Sequence, residues 1–392
     1  MDTAMTEVTS PRRAAQMTVG DVITGRLVRP VFQPIVDLAG GGVVGLEALA
    51  RGPAGTALEF PDRLFDAARA AGRLGDLDQL CAERALEVAV DAAVQPPMLF
   101  VNAEPAVVDQ PISTRIAELV VAGLPFREVL EFTERALPTV PGSMLRLAGL
   151  TRAFGHAVAL DDVGVDPMSL AFLPILEPEV IKLDLSLIRD PASAATARVS
   201  AVVRAQAART GARIIAEGIE TAADLAVARD LGAHWGQGWH FARPGPIDGP
   251  GHRYDPEAAA VLPAPPSTFH ERPGSPFTAT ATSGPTFAAD SMSIATALDR
   301  LHGMLARDPD VIVFAVEPAG TCPELPVSLH DLLGRARSVY IRDRPFPDEF
   351  AVVLLGAGYG FGMCVRTRPE LEIRHLDQLP AVAEVARVML AA

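Results

Sequence analysis

The chain has 392 residues, 49% of them hydrophobic, with 48 acidic against 34 basic residues for a formal net charge of −14. This exceeds one average domain and supplies apolar content for a sizeable core, so two domains are expected, and the acidic balance argues against broad phosphate or DNA binding. Cys81, Cys322 and Cys364 are far apart, odd in number and without metal-ligand spacing, which speaks against a disulfide framework or a zinc site and suits a reducing cytoplasm.

Residues 1–18 read as a disordered polar tail, and Met1 to Met17 lacks the apolar core of a signal peptide, so a cytoplasmic protein is expected. From Val28 to Phe241 short apolar runs alternate with longer helical patterns, the signature of βα units around a parallel sheet. Strands are expected near Pro30 to Val36, Val43 to Ala50, Met98 to Asn102, Val129 to Phe132, Ala157 to Leu160, Val180 to Leu183, Arg213 to Ala216 and His234 to Gly236. The first two are joined by the glycine-rich turn Asp37 to Gly42, too short for a helix, so they should pair antiparallel. Crossover helices are expected within Pro61 to Ala92, Ile112 to Ala122, Gly142 to Phe154, Pro191 to Thr210 and Ala222 to Leu231. The fold class is therefore α/β: a (βα)8 TIM-like barrel with an antiparallel first strand over residues 19–245, followed by a small α+β domain.

Residues 246–290 are rich in Pro, Gly, Ser and Thr and read as a linker. Over 291–392 the pattern predicts a helix at Ser293 to Ala306, strands near Val311 to Val316, Ser338 to Ile341, Phe350 to Leu355 and Gly360 to Arg366, and a helix at Leu379 to Ala391. The apolar stretch Phe350 to Val365 contains four glycines and is too short to span a bilayer, so no membrane insertion is expected.

Polar residues stand at the C-terminal ends of the expected strands: Glu47, Asn102, Glu131, Asp161 with Asp162, Lys182 with Asp184, Glu217 and Gln237. In a closed barrel these ends share one face, where barrel enzymes place their catalytic groups. One acid there is most often a solvated cap, but several gathered at one mouth repel unless cations offset them. Carboxylate and amide oxygens without His or Cys suit magnesium or manganese, and the adjacent Asp161–Asp162 pair can serve two ions, a device for attack on phosphodiesters. Lys182 would project into the same mouth, either to act on water or phosphate or as a salt-bridge partner for the acids.

The runs QPI at Gln33 to Ile35, EALAR at Glu47 to Arg51, VNAEP at Val101 to Pro105, EFTER at Glu131 to Arg135, LDDVG at Leu160 to Gly164, IKLD at Ile181 to Asp184, AEGIE at Ala216 to Glu220 and QGWHFARP at Gln237 to Pro244 resemble, in order, the motifs of EAL-domain cyclic di-GMP phosphodiesterases. The resemblance implies hydrolysis of cyclic di-GMP to linear pGpG with two Mg2+ or Mn2+ ions; Ca2+, whose longer bonds and looser geometry spoil the placement of the water, is expected to inhibit. It implies that Glu47, Asn102, Glu131 and Asp161 hold one metal and Asp161, Asp162 and Glu217 the other, with Lys182 and Gln237 acting on the water. Arg51 matches a phosphate contact, Gln33, Asp184 and Glu220 match positions at or near the substrate, and Glu134 matches the anchor of the loop after the Asp pair. A homodimer is implied as well.

Three departures stand out: VGVDPMSL from Val163 to Leu170 replaces the family's loop, GPAGT from Gly52 to Thr56 replaces a tryptophan and His-Pro, and Trp239 replaces a tyrosine. The altered loop keeps open a receptor that binds cyclic di-GMP without cleaving it. A magnesium barrel of enolase-like type also combines lysine with strand-end acids, but the adjacent aspartates and the Asn favour the phosphodiesterase. Residues 291–392 are faintly similar to DICT sensory modules, which implies a sensory or dimerisation role for an unknown signal, and Cys322, Cys364 and His302 receive no role.

Overall fold

The computed structural model describes residues 17–104, 109–133, 140–166, 168–249, 252–262, 274–317, 336–343 and 346–391. Helix α1 (Val19–Thr24), opened by a capping box between Thr18 and Asp21, leads into β1 (Arg29–Asp37) and β2 (Val43–Arg51). Strands β3 (Met98–Ala103), β4 (Arg127–Thr133), β5 (Ala157–Val163), β6 (Val180–Leu183), β7 (Arg213–Ala216) and β8 (Trp235–Gln237) complete a barrel closed in sequence order. As expected, β1 runs antiparallel to both β2 and β8 while the remaining neighbours are parallel.

The segment expected as one crossover helix is two, α2 (Pro61–Ala70) and α3 (Leu74–Val90), separated at Gly72, whose φ of 65° suits glycine. Helices α4 (Thr114–Ala122), α5 (Pro141–Ala153), α6 (Met168–Leu176), α7 (Leu185–Arg189), α8 (Ala194–Thr210) and α9 (Ala222–Asp230) follow. Two of these, α6 and α7, lie where no helix was expected. Every residue of α6 is buried, because it is covered on one side by β5 and α8 and on the other by the second domain. Such a helix shows no amphipathic stripe to read.

The barrel interior is layered by strand periodicity. Ile35, Phe100, Val129, Ala159, Val180, Ile215 and Trp235 form an apolar layer, and the residue two positions nearer the mouth on each of their strands is Gln33, Asn102, Glu131, Asp161, Lys182, Glu217 or Gln237. On β2 the apolar place is taken by Gly45, where a Cβ would lie 3.1 Å from the Phe100 ring, and Glu47 stands above it. Ala259 of α10 (Pro256–Ala259) and Leu262 close the opposite end.

The 246–290 stretch is a correction. Ile247 packs into the core, Tyr254 bridges to Val43, and the Leu262 carbonyl accepts from Arg127. Further on, α11 (Pro276–Ala279) buries Phe277 and β9 (Phe287–Ala288) pairs with β14 (Glu372–Leu376), so its described parts are built into the fold. These short pieces each borrow burial from distant strands, which leaves no local periodicity.

Helix α12 (Ser291–Leu305) precedes β10 (Ile312–Glu317), β11 (Ser338–Asp343), β12 (Glu349–Gly356) and β13 (Tyr359–Arg366), and α13 (Leu379–Ala391) ends the chain's described part. The sheet order is β11-β10-β12-β13-β14-β9, with β10 and β11 parallel. Alternate residues of β10 face two layers: Val313 and Ala315 meet α12, whereas Ile312, Phe314 and Val316 join a core shared with α13 and the barrel's α5 and α6. Met144, Leu145, Leu173 and Leu176 from the barrel sit in that same core with Val353, Val385 and Met389. Among the described residues no helix is long and apolar enough to cross a membrane.

Candidate functional site

The polar layer converges on Lys182, which is fully buried. Its Nζ lies 2.8 Å from Glu131 Oε1, 2.8 Å from Glu217 Oε1, 3.2 Å from Asp161 Oδ1 and 3.7 Å from Glu47 Oε1. The four acids and the lysine come from five separate strands or strand ends, which meet only because closure of the barrel brings β2, β4, β5, β6 and β7 to one mouth. Asn102 Nδ2 donates to Glu47 Oε1 at 3.2 Å, and Gln237 Nε2 donates to Glu47 Oε2 at 2.5 Å and to Gln33 Oε1 at 3.1 Å. Gln33 in turn donates to the Ala242 carbonyl at 3.1 Å, which ties the first strand to the segment after the eighth.

The two aspartates are set apart by backbone. The register of β5 against β6 shifts between Leu160 and Val163, and Asp162 adopts φ 58° there. Asp tolerates this left-handed region better than most residues, at a cost of roughly 1 kcal/mol. The Asp162 amide donates to Asp161 Oδ1 at 2.9 Å, and carboxylate oxygens of Asp161, Asp162 and Glu217 lie within 4.8 Å of one another.

Electrostatics mark this group as incomplete. Burial works against the charge on Lys182, but Asp161, Glu131, Glu217 and Glu47 outweigh it and hold the ammonium well above its ordinary pKa. Burial raises Glu131 far above the carboxylate range against the pull of Lys182, and burial also moves Asp161 upward against the same lysine. Glu217 is pushed up to about 8 by burial and by Asp161. Glu47 alone falls, because Lys182, Gln237 and Asn102 overcome its burial. Both Glu131 oxygens, Lys182 Nζ and Gln237 Oε1 are buried without a well-aligned hydrogen bond. Four carboxyl groups around one ammonium, with Asp162 beside them, leave surplus negative charge and unused oxygen lone pairs, which fit a hard divalent cation.

The other expected residues stand around this centre. Arg51 donates to the Ala50 carbonyl at 2.8 Å and, with Asn102, Glu104 and Thr133, lines a cavity of about 240 Å³. Asp184 caps α7 by accepting from Ser186 N at 2.7 Å, and Glu220 pairs with Arg189 at 3.0 Å. Neither of these two carboxylates reaches Lys182 by any contact found among the described residues. Glu134 and Cys322 lie outside the described residues. Arg243 drew no attention in the sequence, yet its guanidinium lies 4.1 Å above the ring of Trp239, which is 55% exposed. Its place within the QGWHFARP run was the available signal.

Residues 16–244, over half of the chain, match the family described as the EAL domain. The chain is 30% identical over 230 residues to a probable cyclic di-GMP phosphodiesterase, PdeB of Escherichia coli K12, covering 57% of this chain and 44% of that protein. It is 32% identical over 232 residues to the cyclic di-GMP phosphodiesterase NbdA of Pseudomonas aeruginosa, covering 55% of this chain and 29% of that one. It therefore spans less than half the length of either relative. The FimX EAL domain of Xanthomonas citri in complex with c-diGMP shares the fold, with a TM-score of 0.53 at 20% identity over 58% of this chain and 92% of that one. BlrP1 of Klebsiella pneumoniae, solved as a manganese/cy-diGMP complex, matches at 26% identity and a TM-score of 0.50 over 56% of this chain and 57% of that one.

Proposed function

Because the chain belongs to the EAL-domain family, we propose that it hydrolyses one phosphodiester of cyclic di-GMP to give linear pGpG, using Mg2+ or Mn2+ and inhibited by Ca2+. The observation that carries this reading is the surplus of carboxylates around Lys182 at the barrel mouth. Glu47, Asn102, Glu131 and Asp161 would hold one cation, and Asp161, Asp162 and Glu217 a second. Cations bound there supply Lewis acidity toward the attacking water and neutralise charge on the phosphate.

The chain's own groups do the rest. Lys182, kept charged by its acids, donates hydrogen bonds toward the water or the developing phosphate charge. The Gln237 amide, held by Glu47 and Gln33, orients that water. Arg51 offers a fixed fork of donors for the second phosphate, and the Trp239 face suits stacking of a guanine. Water adds to phosphorus, the bond to the ribose 3′ oxygen breaks, and that oxygen leaves with a proton. Asp184 and Glu220 belong to the outer shell of this arrangement. Residues 291–392 act as a regulatory or dimerising unit of a cytoplasmic homodimer, which sedimentation velocity would check.

The test is incubation of the full chain with cyclic di-GMP and Mg2+ or Mn2+, with separation of products. Formation of pGpG that stops in excess EDTA is expected. Tight binding without product would select the receptor reading, which the replaced loop after Asp162 favours; neither binding nor product would remove both.

A further inference from the structure

The loop after the Asp pair is held from outside the barrel. It runs five residues, Asp162 to Asp166, with Val165 N donating to the Asp162 carbonyl at 3.3 Å. Asp166 then starts α6: its Oδ1 accepts from Met168 N at 2.9 Å, and its carbonyl accepts from Ser169 N at 3.1 Å. The remaining carboxylate oxygen, Oδ2, accepts from Nη2 of Arg337 at 2.6 Å. Arg337 belongs to the second domain, immediately before β11, and its other terminal nitrogen donates to Asp310 Oδ1 at 3.3 Å.

The far end of α6 is gripped by the same domain. Arg387 of α13, 5% exposed, donates from Nη1 to the Pro174 carbonyl at 3.4 Å and lies 3.5 Å from Glu177. Between its ends the helix is buried along its whole length. A cation at the carboxyl end and an anion at the amino end also suit the helix dipole. A third tie, from Arg198 of α8 to Asp308 at 3.2 Å, with Tyr359 on the same oxygen at 3.0 Å, flanks the joint. The second domain thus fixes both the position and the starting direction of the helix that follows the turn leaving Asp162 at the end of β5.

We infer that Arg337 is a positioning residue for the metal-binding carboxylates: by holding Asp166 it sets the turn from Asp162 to Asp166, and so couples the second domain to the affinity of the Asp161–Asp162–Glu217 group for its cation. This rests on the reading that those three acids bind a divalent ion. The pair is half-exposed, so its direct share of folding stability is small. Its effect is on where Asp162 points, and any event that moves β11 against the barrel reaches the metal group along the same path.

The experiment is Mn2+ titration of the full chain without substrate, following the free-ion signal by electron paramagnetic resonance, for wild type, Arg337→Gln, Asp166→Asn, the double variant and Arg337→Lys. Asp166→Asn keeps the oxygen that caps α6 and removes only the charge. Each single variant should weaken Mn2+ binding about fivefold, within the range of couplings carried through such contacts. The double variant should be no weaker than either single one, since both remove one interaction, and Arg337→Lys should bind close to wild type. Melting in EDTA should be nearly unchanged throughout. Equal Mn2+ affinity in wild type and Arg337→Gln overturns the inference, as does a lowered melting temperature with unaltered affinity, which would make the pair structural only. A wild type that binds no Mn2+ overturns the reading beneath it as well.

Discussion

Among the described residues of the barrel two cations are buried, Arg152 and Lys182, and they differ in how their neighbours answer them. Arg152 on α5 is 3% exposed; its Nε donates to Glu179 Oε1 at 2.9 Å and its Nη2 to the carbonyls of Leu176 and Glu177 at 3.1 and 2.7 Å. Glu179 spends its second oxygen on the Val158 amide at 2.8 Å, so one acid and one base close upon each other and on the ends of the backbone around them. Lys182 faces four acids, two of them at 2.8 Å, so its one charge cannot balance them all. Both side chains carry a desolvation cost of similar kind. The balanced pair is architecture, and the unbalanced cluster has the make-up that a cation from solution would complete.

The sharpest way to break that contrast is to remove each cation. Lys182→Met should lower turnover by about 10³-fold or more with a smaller change in KM, as expected for an electrostatic and proton-handling group at the reacting centre. It should also lower the melting temperature in EDTA, because the acids lose their sole buried counter-charge, and Mn2+ should restore much of that loss. Unchanged kcat with raised KM would reassign Lys182 to substrate binding. Arg152→Ala should instead cost about 3–5 kcal/mol of stability by stranding Glu179, with near-normal turnover per folded molecule. Denaturant melts beside active-site-titrated rates would check this, and a large loss of turnover with intact stability would erase the distinction.

A third buried charge sharpens the comparison from the other side. Glu128 points out of the barrel, and burial alone pushes its pKa up to about 7. The folded state therefore holds this proton more tightly than the unfolded chain does. Glu128 then costs nothing below the unfolded carboxylate range, and its cost grows as pH rises toward 7 and levels off above it. Glu128→Leu should raise stability at pH 8 by up to ~3 kcal/mol and have little effect at pH 4. Melts at both pH values decide it, and an equal gain at both would mean that apolar packing, with no titration, accounts for the change.

The smallest effect concerns Asp162. Replacing it with glycine should relieve its left-handed backbone and stabilise the metal-free protein by about 1 kcal/mol, while weakening Mn2+ binding and turnover. A destabilised Asp162→Gly protein in EDTA would show that this carboxylate supports the fold as well as the metal group.

The barrel was legible in the chain because each strand carries its own signal. An apolar run ending in a polar residue marks Val180–Leu183 and Arg213–Ala216 at their observed limits, and the short glycine-rich turn after Asp37 foretold the reversed first strand. The mouth residues were legible for the same reason: period-two alternation places Glu131 above Val129 and Lys182 above Val180 whatever lies beyond them. Helix α6 was not, because MSLAFLPIL is apolar all round and its burial depends on a domain more than a hundred residues away. Nor was the docking of the described parts of 246–290, where Ile247, Leu262 and Phe277 each find cover in a different part of the molecule.

Local pattern alone thus determined the barrel class, the residues at its mouth and the kind of ion they suit, since strand periodicity and ligand chemistry are properties of neighbouring residues. Only the tertiary structure decided which acids surround Lys182, that Asp162 turns aside in a left-handed conformation, and that Arg337 reaches Asp166. Those depend on barrel closure and on burying a shared apolar face between the two domains, and neither distance is written in any short stretch of chain.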